Sequence, residues 1–227
     1  VVTANKYETK QKEVATIVNI VSPLIIESTT SNSMADVLNF QTGLRVEETC
    51  SNCGVPQIRI NGLEGQYTQI LMDSRPIFSS LASVYGLEQL PAGMVDRIEV
   101  IRGGGSALYG ANAIAGVVNI ITKEPNRNSL NISNSSAFTQ QGTYDINTSM
   151  NASVVAENQK AGIFLFGVQR NRQQYDRDQD GYSDIPHLNS TTVGFRSYFK
   201  TSDYSKITDE YHHTSEFRRG GFGIDSP

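Results

Sequence analysis

The chain has 227 residues, enough for one or two domains. Its 19 basic and 23 acidic residues give a formal net charge of -4 with no basic run longer than two residues, so the basic face that nucleic acid requires is missing. No run of 18 apolar residues occurs, which excludes a transmembrane helix but not barrel strands of about 9–11 alternating residues each. Because it has neither an initiator Met nor a signal peptide, the chain is expected to be mature or trimmed.

The first region of the chain, which ends near Pro125, is predicted to form a small α+β core. A helix is predicted over residues 34–41. Ser33 can cap this helix, Asp36 favours the dipole of its first turn, and Gly43 can close it. Short β-rich runs predict strands at residues 15–20, 57–60 and 68–72.

The two cysteines lie close together at Cys50 and Cys53, in the stretch T-C-S-N-C-G. A structural zinc site normally needs four ligands, and the three histidines lie far away in the sequence. A thioredoxin-like motif would sit where a strand meets a helix, whereas this pair lies in a Ser/Asn/Gly turn. The pattern favours a disulfide across a short loop in an oxidising compartment, with two free thiols as the alternative.

Residues 96–122 combine two β-rich runs with a glycine-rich stretch between them. They predict a strand, a glycine hinge, a short turn-rich stretch and a second strand. A dinucleotide fingerprint needs G-x-G-x-x-G, but Leu108 occupies the sixth position counted from Gly103. The Gly-Lys-Ser/Thr of a phosphate loop occurs nowhere in the chain, so nucleotide binding is disfavoured.

After Asn128 the sequence alternates apolar and polar side chains. The clearest segments are residues 144–154, 163–168 and 193–199, with weaker candidates at 130–138 and 206–217. Segments of about ten residues with this alternation are typical of outer-membrane barrels. A half-solvated antiparallel sheet in a soluble protein has the same period, so alternation alone leaves both folds open.

An acidic loop follows the segment at residues 163–168 and has the spacing D-x-D-x-D-G. This spacing matches the first half of an EF-hand calcium loop, with Gly181 at the turn position. His187 stands where the EF-hand has its bidentate Glu, and flanking helices are missing, so an EF-hand is disfavoured. The candidate calcium ligands are Asp176, Asp178, Asp180 and Asp184. A solvated acidic loop is the alternative, and no cofactor is otherwise required.

Several motifs stand in the order in which one known family has them. They are M-A-D-V-L with T-G-L-R-V, Q-I-R-I-N-G, I-L-M-D-S-R-P, L-P through R-I-E-V-I-R-G, and A-L-Y-G through N-I-I-T. Together they resemble the plug domain of TonB-dependent outer-membrane receptors over residues 1–125. The sequence departs from the family at Ser74, where the family has a glycine, so the turn there is expected to be of a different type.

The resemblance implies an α+β plug domain followed by antiparallel strands of a transmembrane β-barrel. The plug would cover residues 6–125 and the barrel strands residues 126–227. Plugged transporters need about 22 strands, so the five predicted here would leave the barrel incomplete in this chain.

The resemblance also assigns roles to plug residues. The first five resemble the end of the TonB box, the segment that the inner-membrane-anchored protein TonB grasps: Val1, Val2, Thr3, Ala4 and Asn5. Such an extended β-branched stretch suits strand addition. In the family, plug arginines pair with glutamates on the barrel's inner wall, and the corresponding group here is Arg97, Glu99 and Arg102. Buried arginines need carboxylate partners, whereas surface charges on a soluble strand are the alternative.

Three loops, at residues 48–54, 62–67 and 74–87, are expected to face the ligand by correspondence with the family. The candidate ligand contacts in them are Cys50, Cys53, Gln66, Tyr67, Phe78 and Tyr85. A Cys50–Cys53 disulfide would stiffen the first loop and lower the entropy lost on binding. Core packing is the alternative role for Phe78.

The resemblance implies transport and no catalysis. The expected function is TonB-dependent uptake of a scarce large nutrient across the outer membrane of a Gram-negative bacterium. The cargo candidates are ferric siderophore, haem and cobalamin; the absence of histidine from the plug disfavours haem, and the aspartate-rich loop favours cobalamin. The expected partners are TonB with its inner-membrane energising complex, outer-membrane lipid and the small-molecule cargo, with a surface lipoprotein as a further candidate. The alternative is a soluble secreted β-rich binding or adhesion module with a calcium-stiffened loop.

Overall fold

The computed structural model describes residues 2–3, 9–14, 16–28, 34–48, 56–76 and 90–222. The chain divides into two compact units, and the division falls between Thr122 and Lys123. Within the part of the chain described, no helix has the length and apolar character needed to cross a membrane. We call the two parts the N-terminal unit and the C-terminal sheet.

A five-stranded mixed sheet forms the centre of the N-terminal unit. In chain order its strands are β1 (Ile17–Val21), β4 (Thr68–Met72), β5 (Arg75–Pro76), β6 (Val95–Arg102) and β7 (Gly116–Thr122), and a separate hairpin contains β2 (Leu44–Glu48) and β3 (Pro56–Ile60). The order across the sheet is β1-β6-β7-β4-β5, in which β7 pairs antiparallel with β6 and parallel with β4. β7 is an interior strand, and its run of apolar side chains is almost entirely buried.

Three short α-helices occur in the described part of the N-terminal unit: α1 (Pro23–Ser28), α2 (Met34–Asn39) and α3 (Ser106–Tyr109). The helix predicted over residues 34–41 therefore ends two residues early. The amides of Phe40 and Gln41 bond back only three residues, to Val37 and Leu38, and this tightens the last turn. Gly43 follows with φ of +78°, as predicted for a closing glycine. The first strand begins at Ile17, later than the predicted residue 15, and the predicted cap Ser33 lies outside the described residues.

The glycine-rich stretch has the predicted order of strand, turns and strand, with α3 between β6 and β7. Gly116 shows why a glycine is needed where β7 begins. Its φ is +152°, and a Cβ there would lie 2.3 Å from the Ile101 carbonyl oxygen on β6. The glycine thus permits the two strands to pair at the end where the glycine-rich stretch connects them.

The turn between β4 and β5 explains how Ser74 is accommodated. Asp73 and Ser74 have φ of +47° and +65°, and positive φ at both central residues is the mark of a type I′ turn. The Asp73 carboxylate accepts bonds from the amide and hydroxyl of Thr122 at 3.1 and 2.6 Å. These contacts stabilise a left-handed backbone that would otherwise favour glycine.

Five long strands form the C-terminal sheet as an antiparallel meander: β8 (Ser129–Phe138), β9 (Tyr144–Val155), β10 (Ala161–Arg172), β11 (His187–Ser202) and β12 (Ser205–Arg219). Their order is β12-β11-β10-β9-β8, so each strand pairs with its neighbour in sequence. All five segments with alternating side chains are strands. The sheet is open, with β8 and β12 at its edges.

The register gives this sheet two unlike faces. One row of paired residues crosses all five strands as Leu130, Ala152, Leu165, Phe195 and Tyr211, and the next crosses them as Ile132, Met150, Gly167, Val193 and His213. We call this the apolar face; Leu130 and Ile132 on it are 67% and 65% exposed. The opposite, polar face carries the ion pairs Arg170–Asp145, Arg196–Glu210 and Arg218–Glu216.

Candidate functional site

The residue Thr3, near the start of the chain, is hydrogen-bonded to the N-terminal unit through its amide, its carbonyl and its hydroxyl. Its amide and hydroxyl each donate to Oε2 of Glu99 at 2.7 Å. Its hydroxyl oxygen accepts from Nδ2 of Asn119 at 2.7 Å, and its carbonyl accepts from the hydroxyl of Tyr109 at 3.2 Å. Because its amide, carbonyl and hydroxyl all have partners, Thr3 occupies a specific binding position on the unit. We call this position, formed by Glu99, Asn119 and Tyr109, the seat of Thr3.

Val2 anchors the same segment by apolar contact. It is fully buried in a cluster with Val18, Leu71, Ile101, Tyr109, Ala113 and Val117. Val2 and Thr9 also exchange two backbone hydrogen bonds of 2.8 Å, which fold the start of the chain back on itself. We call Val2–Thr3 the docked segment.

Glu99 gives the site its charge. The residue is fully buried on β6, and its Oε1 accepts from Nε of Arg97 at 3.0 Å. Arg97 also contacts the Asp96 carboxylate at 2.9 Å. A buried carboxylate needs such partners, and two of the three donors to Glu99 among the described residues are groups of Thr3. Departure of Thr3 would therefore remove two hydrogen bonds from a buried carboxylate that keeps its contact with Arg97.

Asn119 connects the docked segment with the β4–β5 turn. Its side chain is fully buried in β7, its Oδ1 accepts from the Ser74 amide at 2.9 Å, and its Nδ2 donates to Thr3. Sequence reasoning did not select Asn119 or Tyr109. A signal for Asn119 was present, because an amide in the apolar run V-V-N-I-I of a buried strand requires a hydrogen-bonding partner.

The contacts that hold the docked segment are few enough for the segment to be displaced. Burial of one valine contributes about 1.5–3 kcal/mol. A hydrogen bond to a charged group contributes roughly 1.5–3 kcal/mol, and one between neutral groups about 0.5–1.5 kcal/mol. A segment held by a few such contacts, less the entropy of ordering it, is stable but can be displaced by a competing partner.

All three residues assigned to barrel contacts have partners inside the N-terminal unit. Glu99 contacts Thr3 and Arg97, Arg97 also pairs with Asp96, and Arg102 donates through its NH2 group to the Thr42 carbonyl, which follows α2. The Arg102 contact is with a backbone carbonyl, and its buried Nε–H donates to no acceptor among the described residues. The assigned contacts with a barrel wall stay a prediction.

The other predicted residues are only partly within the described structure. Gln66 and Tyr67 lie in an exposed 3₁₀ turn, as expected of a loop, and Gln66 donates to Glu64 at 2.8 Å. Outside the described residues lie Val1, Ala4, Asn5, Cys50, Cys53, Phe78 and Tyr85. Their ligand, disulfide and coupling roles stay predictions.

The acidic loop brings three of its four predicted residues together. One carboxylate oxygen from each of Asp176, Asp178 and Asp184 lies within 4.8 Å of the others. Asp180 is not in this group, and its carboxylate accepts from the Tyr182 amide at 2.8 Å. Asp176 accepts from the Gly181 amide at 2.9 Å, so the loop is shaped partly by its own backbone. Oxygen ligands of this kind fit Ca²⁺.

Comparison with protein families places residues 10–117 in a model described as TonB-dependent Receptor Plug Domain. A vitamin B12 transporter BtuB from Vibrio vulnificus strain CMCP6 is 36% identical over 122 residues, which are 54% of this chain and 20% of the relative. The BtuB of strain YJ016 is 29% identical over 218 residues, 89% of this chain and 35% of the relative. The chain thus spans between a fifth and about a third of these relatives.

Solved structures share the fold of both units. The siderophore receptor PirA of Acinetobacter baumannii has a TM-score of 0.76 at 21% identity, over 92% of this chain and 32% of its own. A mutant ferric enterobactin receptor, PfeA, of Pseudomonas aeruginosa has a TM-score of 0.77 at 23% identity, over 96% of this chain and 35% of its own. The predicted fold class is confirmed: a plug domain followed by antiparallel strands like those of a receptor barrel, here as an unclosed sheet.

Proposed function

Because the chain belongs to the family of TonB-dependent receptors, we propose that its protein imports a scarce large nutrient across the outer membrane of a Gram-negative bacterium. Cargo binds from outside, the plug rearranges, and the docked segment becomes available to TonB on the periplasmic side. The residues adjoining this segment couple the two events, which are binding equilibria at distinct sites linked through one element.

This proposal rests on the two hydrogen bonds that Thr3 donates to Glu99. TonB adds a strand to an extended segment, and main-chain groups supply that pairing. In the docked segment the Thr3 amide already donates to Glu99, and the Val2 amide to Thr9. TonB and the plug therefore compete for the same backbone groups, and any rearrangement that weakens the seat favours TonB.

The two faces of the C-terminal sheet support the membrane location. The apolar face carries exposed Leu130, Ile132, Met150, Leu165 and Val193. A barrel in a membrane turns such a face to lipid and its polar face to the lumen. The soluble secreted module is not favoured, because monomeric soluble proteins rarely expose an apolar patch of this extent.

The cargo is proposed from relatives. The matched curated relatives are vitamin B12 transporters, and the structural neighbours are receptors for siderophores, none described as an enzyme. We therefore place cobalamin first and ferric siderophores second, with haem third. Direct binding assays on the intact receptor with these three cargoes, each against the others as competitor, discriminate among them.

Uptake in cells tests the mechanism. Deletion of residues 1–5 is expected to abolish accumulation of labelled cargo while leaving cargo affinity at the cell surface unchanged. A strain without TonB is the matched control and should reproduce the deletion phenotype with the intact chain. Loss of affinity together with uptake would contradict the coupling role, and uptake that persists without TonB would contradict the proposed function.

A further inference from the structure

A polar cleft lies at one end of the C-terminal sheet. This end is opposite to the one at which Ser129 begins β8. It has a volume of about 390 Å³ and is lined by Thr143, Tyr144, Asn171, Gln173, Gln174 and His187. These residues come from the start of β9, the end of β10 with the turn after it, and the start of β11. We call it the end cleft.

The end cleft belongs to the apolar face. Tyr144 pairs with Phe138, and His187 with Arg219, at the end of the register. Asn171 lies two positions beyond Gln169 on the same face of β10. Between the apolar rows and the end cleft runs one row of exposed polar residues: Asn134, Thr148, Gln169, Thr191 and Ser215. Along the strands of this face, the two apolar rows are therefore followed by one polar row and then by the end cleft.

The lining offers hydrogen bonds without a strong charge. Three side-chain amides, two hydroxyls and an imidazole surround the cleft, and no Asp, Glu, Lys or Arg of the described residues lines it. The Oδ1 of Asn171 is buried and accepts no hydrogen bond from the part of the chain that the structure describes. Such an acceptor needs a partner, and amides that both donate and accept match neighbouring hydroxyls. An isolated phosphate would lack a paired cation in the lining.

Aromatic side chains border the end cleft. Phe138 and Phe217 are 71% and 58% exposed, and the Phe217 ring packs edge-on against His187 at 5.9 Å between centroids. Rings with one apolar face and a polar neighbour are common where a barrel leaves the lipid. Aromatic faces also cover the C–H faces of sugar rings by apolar contact.

The spacing places the cleft near the lipid headgroups. Asn171 lies four residues beyond Gly167 in the last apolar row of β10, about 14 Å along a strand that rises about 3.4 Å per residue. At a barrel tilt of about 45°, this is roughly 10 Å along the membrane normal. Headgroup layers extend about 5–8 Å beyond each side of the hydrocarbon, and larger headgroups reach further.

We propose that the end cleft binds the saccharide headgroup of a glycolipid whose acyl chains cover the adjoining apolar face. The inference rests on the proposed function for the orientation of the sheet in the membrane. The saccharide hydroxyls bond to Asn171 and Gln173, and the acyl chains contact the rows that contain Leu165 and Val193. A bound glycolipid of this kind fixes the depth of these strands in the outer leaflet.

The test compares the intact wild-type receptor with its variants after purification in detergent. Mass spectrometry measures the amount of glycolipid that each protein retains. Asn171→Leu removes the amide at nearly constant size, and Gln169→Leu is the matched control on the same strand and face, outside the cleft. We expect Asn171→Leu to lower retention by about tenfold, and Gln169→Leu to leave it within about twofold. Gln173→Leu should act like Asn171→Leu, which guards against a local packing effect.

Nanodiscs distinguish the source of the saccharide. The intact glycolipid should bind more tightly than its released saccharide, and a lipid with the same acyl chains but no sugar should bind no better to wild type than to Asn171→Leu. Equal retention in all variants, or equal affinity for glycolipid and free saccharide, overturns the proposal. Cargo uptake is measured separately in the same strains, so a receptor that fails to transport leaves the retention comparison valid.

Discussion

Thr3 and Glu99 lie 96 residues apart in the chain, yet both protons that Thr3 can donate go to one carboxylate oxygen of Glu99 at 2.7 Å. This contact joins the start of the chain to the central strands of its first unit. Because Glu99 is fully buried, the contact is not screened by solvent as a surface pair would be. Its disruption should therefore be measurable both as release of the docked segment and as a loss of plug stability.

Removal of the Tyr109 hydroxyl should loosen the docked segment without altering its sequence. Tyr109→Phe deletes the bond to the Thr3 carbonyl, a neutral contact that contributes about 0.5–1.5 kcal/mol. The affinity of the cargo-free receptor for the periplasmic domain of TonB should rise about threefold to tenfold, as measured by calorimetry. Tyr67→Phe, at an exposed tyrosine of the same unit, is the control. Unchanged TonB affinity in Tyr109→Phe would contradict competition between docking and TonB.

Neutralising Glu99 should weaken the strands around it. Glu99→Gln keeps the side-chain size but leaves Arg97 without its buried carboxylate, so the opening free energy of β6 and β7 should fall by roughly 2–4 kcal/mol. Hydrogen exchange of these strands in the intact receptor measures the change. Glu13→Gln breaks an exposed pair with Lys10 and should change exchange by less than about 1 kcal/mol. Similar effects of the two substitutions would refute a special role for Glu99.

A methyl group added at one glycine of this stretch should lower the yield of folded receptor, whereas a methyl group added at another should be tolerated. Gly116→Ala places a Cβ 2.3 Å from the Ile101 carbonyl oxygen at a strained φ, so β6 and β7 cannot pair without a backbone shift. Gly104→Ala meets nothing within 4 Å. We expect Gly116→Ala to reduce folded receptor in the membrane severalfold, and Gly104→Ala to leave it near wild type. Equal yields would show that the β6–β7 contact tolerates a side chain.

The acidic loop is predicted to bind calcium weakly. Three converging carboxylates without a bidentate Glu resemble extracellular sites, which have dissociation constants of about 10⁻⁴–10⁻³ M. Terbium luminescence with calcium competition should detect the site, and Asp178→Asn or Asp184→Asn should abolish the signal. Asp203→Asn, in the turn after β11, controls for general loss of charge. A signal that persists in both loop variants would exclude this loop as the site.

The elements of the fold could be predicted largely from local pattern. Alternation at period two predicted all five strands of the C-terminal sheet, because opposite faces of a strand meet opposite environments. Gly43 marked the closing of α2, and the run around Gly103 marked the turn between β6 and β7. The end of α2 was predicted two residues too late. The amides of Phe40 and Gln41 bond to carbonyls three residues earlier, and no sequence pattern predicts this tightening of the last turn.

The site was less accessible to such reasoning. The sequence singled out Thr3 and Glu99 separately, through resemblance, but gave no reason to join them. Asn119 was missed, although its place in an apolar run was a usable signal. The pairing of Arg97 with Asp96 and Glu99 was also not predicted, and its contact with a barrel wall stays a prediction.

By itself, the sequence determined the period of the strands, the places of the turns and the family, because each depends on residues near one another in the chain or on ordered motifs. The tertiary structure decided which residues meet. Packing brings Val2 and Thr3 against the sheet and buries Glu99. The buried carboxylate needs hydrogen-bond donors, and Thr3 supplies two of them. Contacts across such separations depend on the closed fold and not on local propensity, which is why only the folded chain reveals the seat of the docked segment.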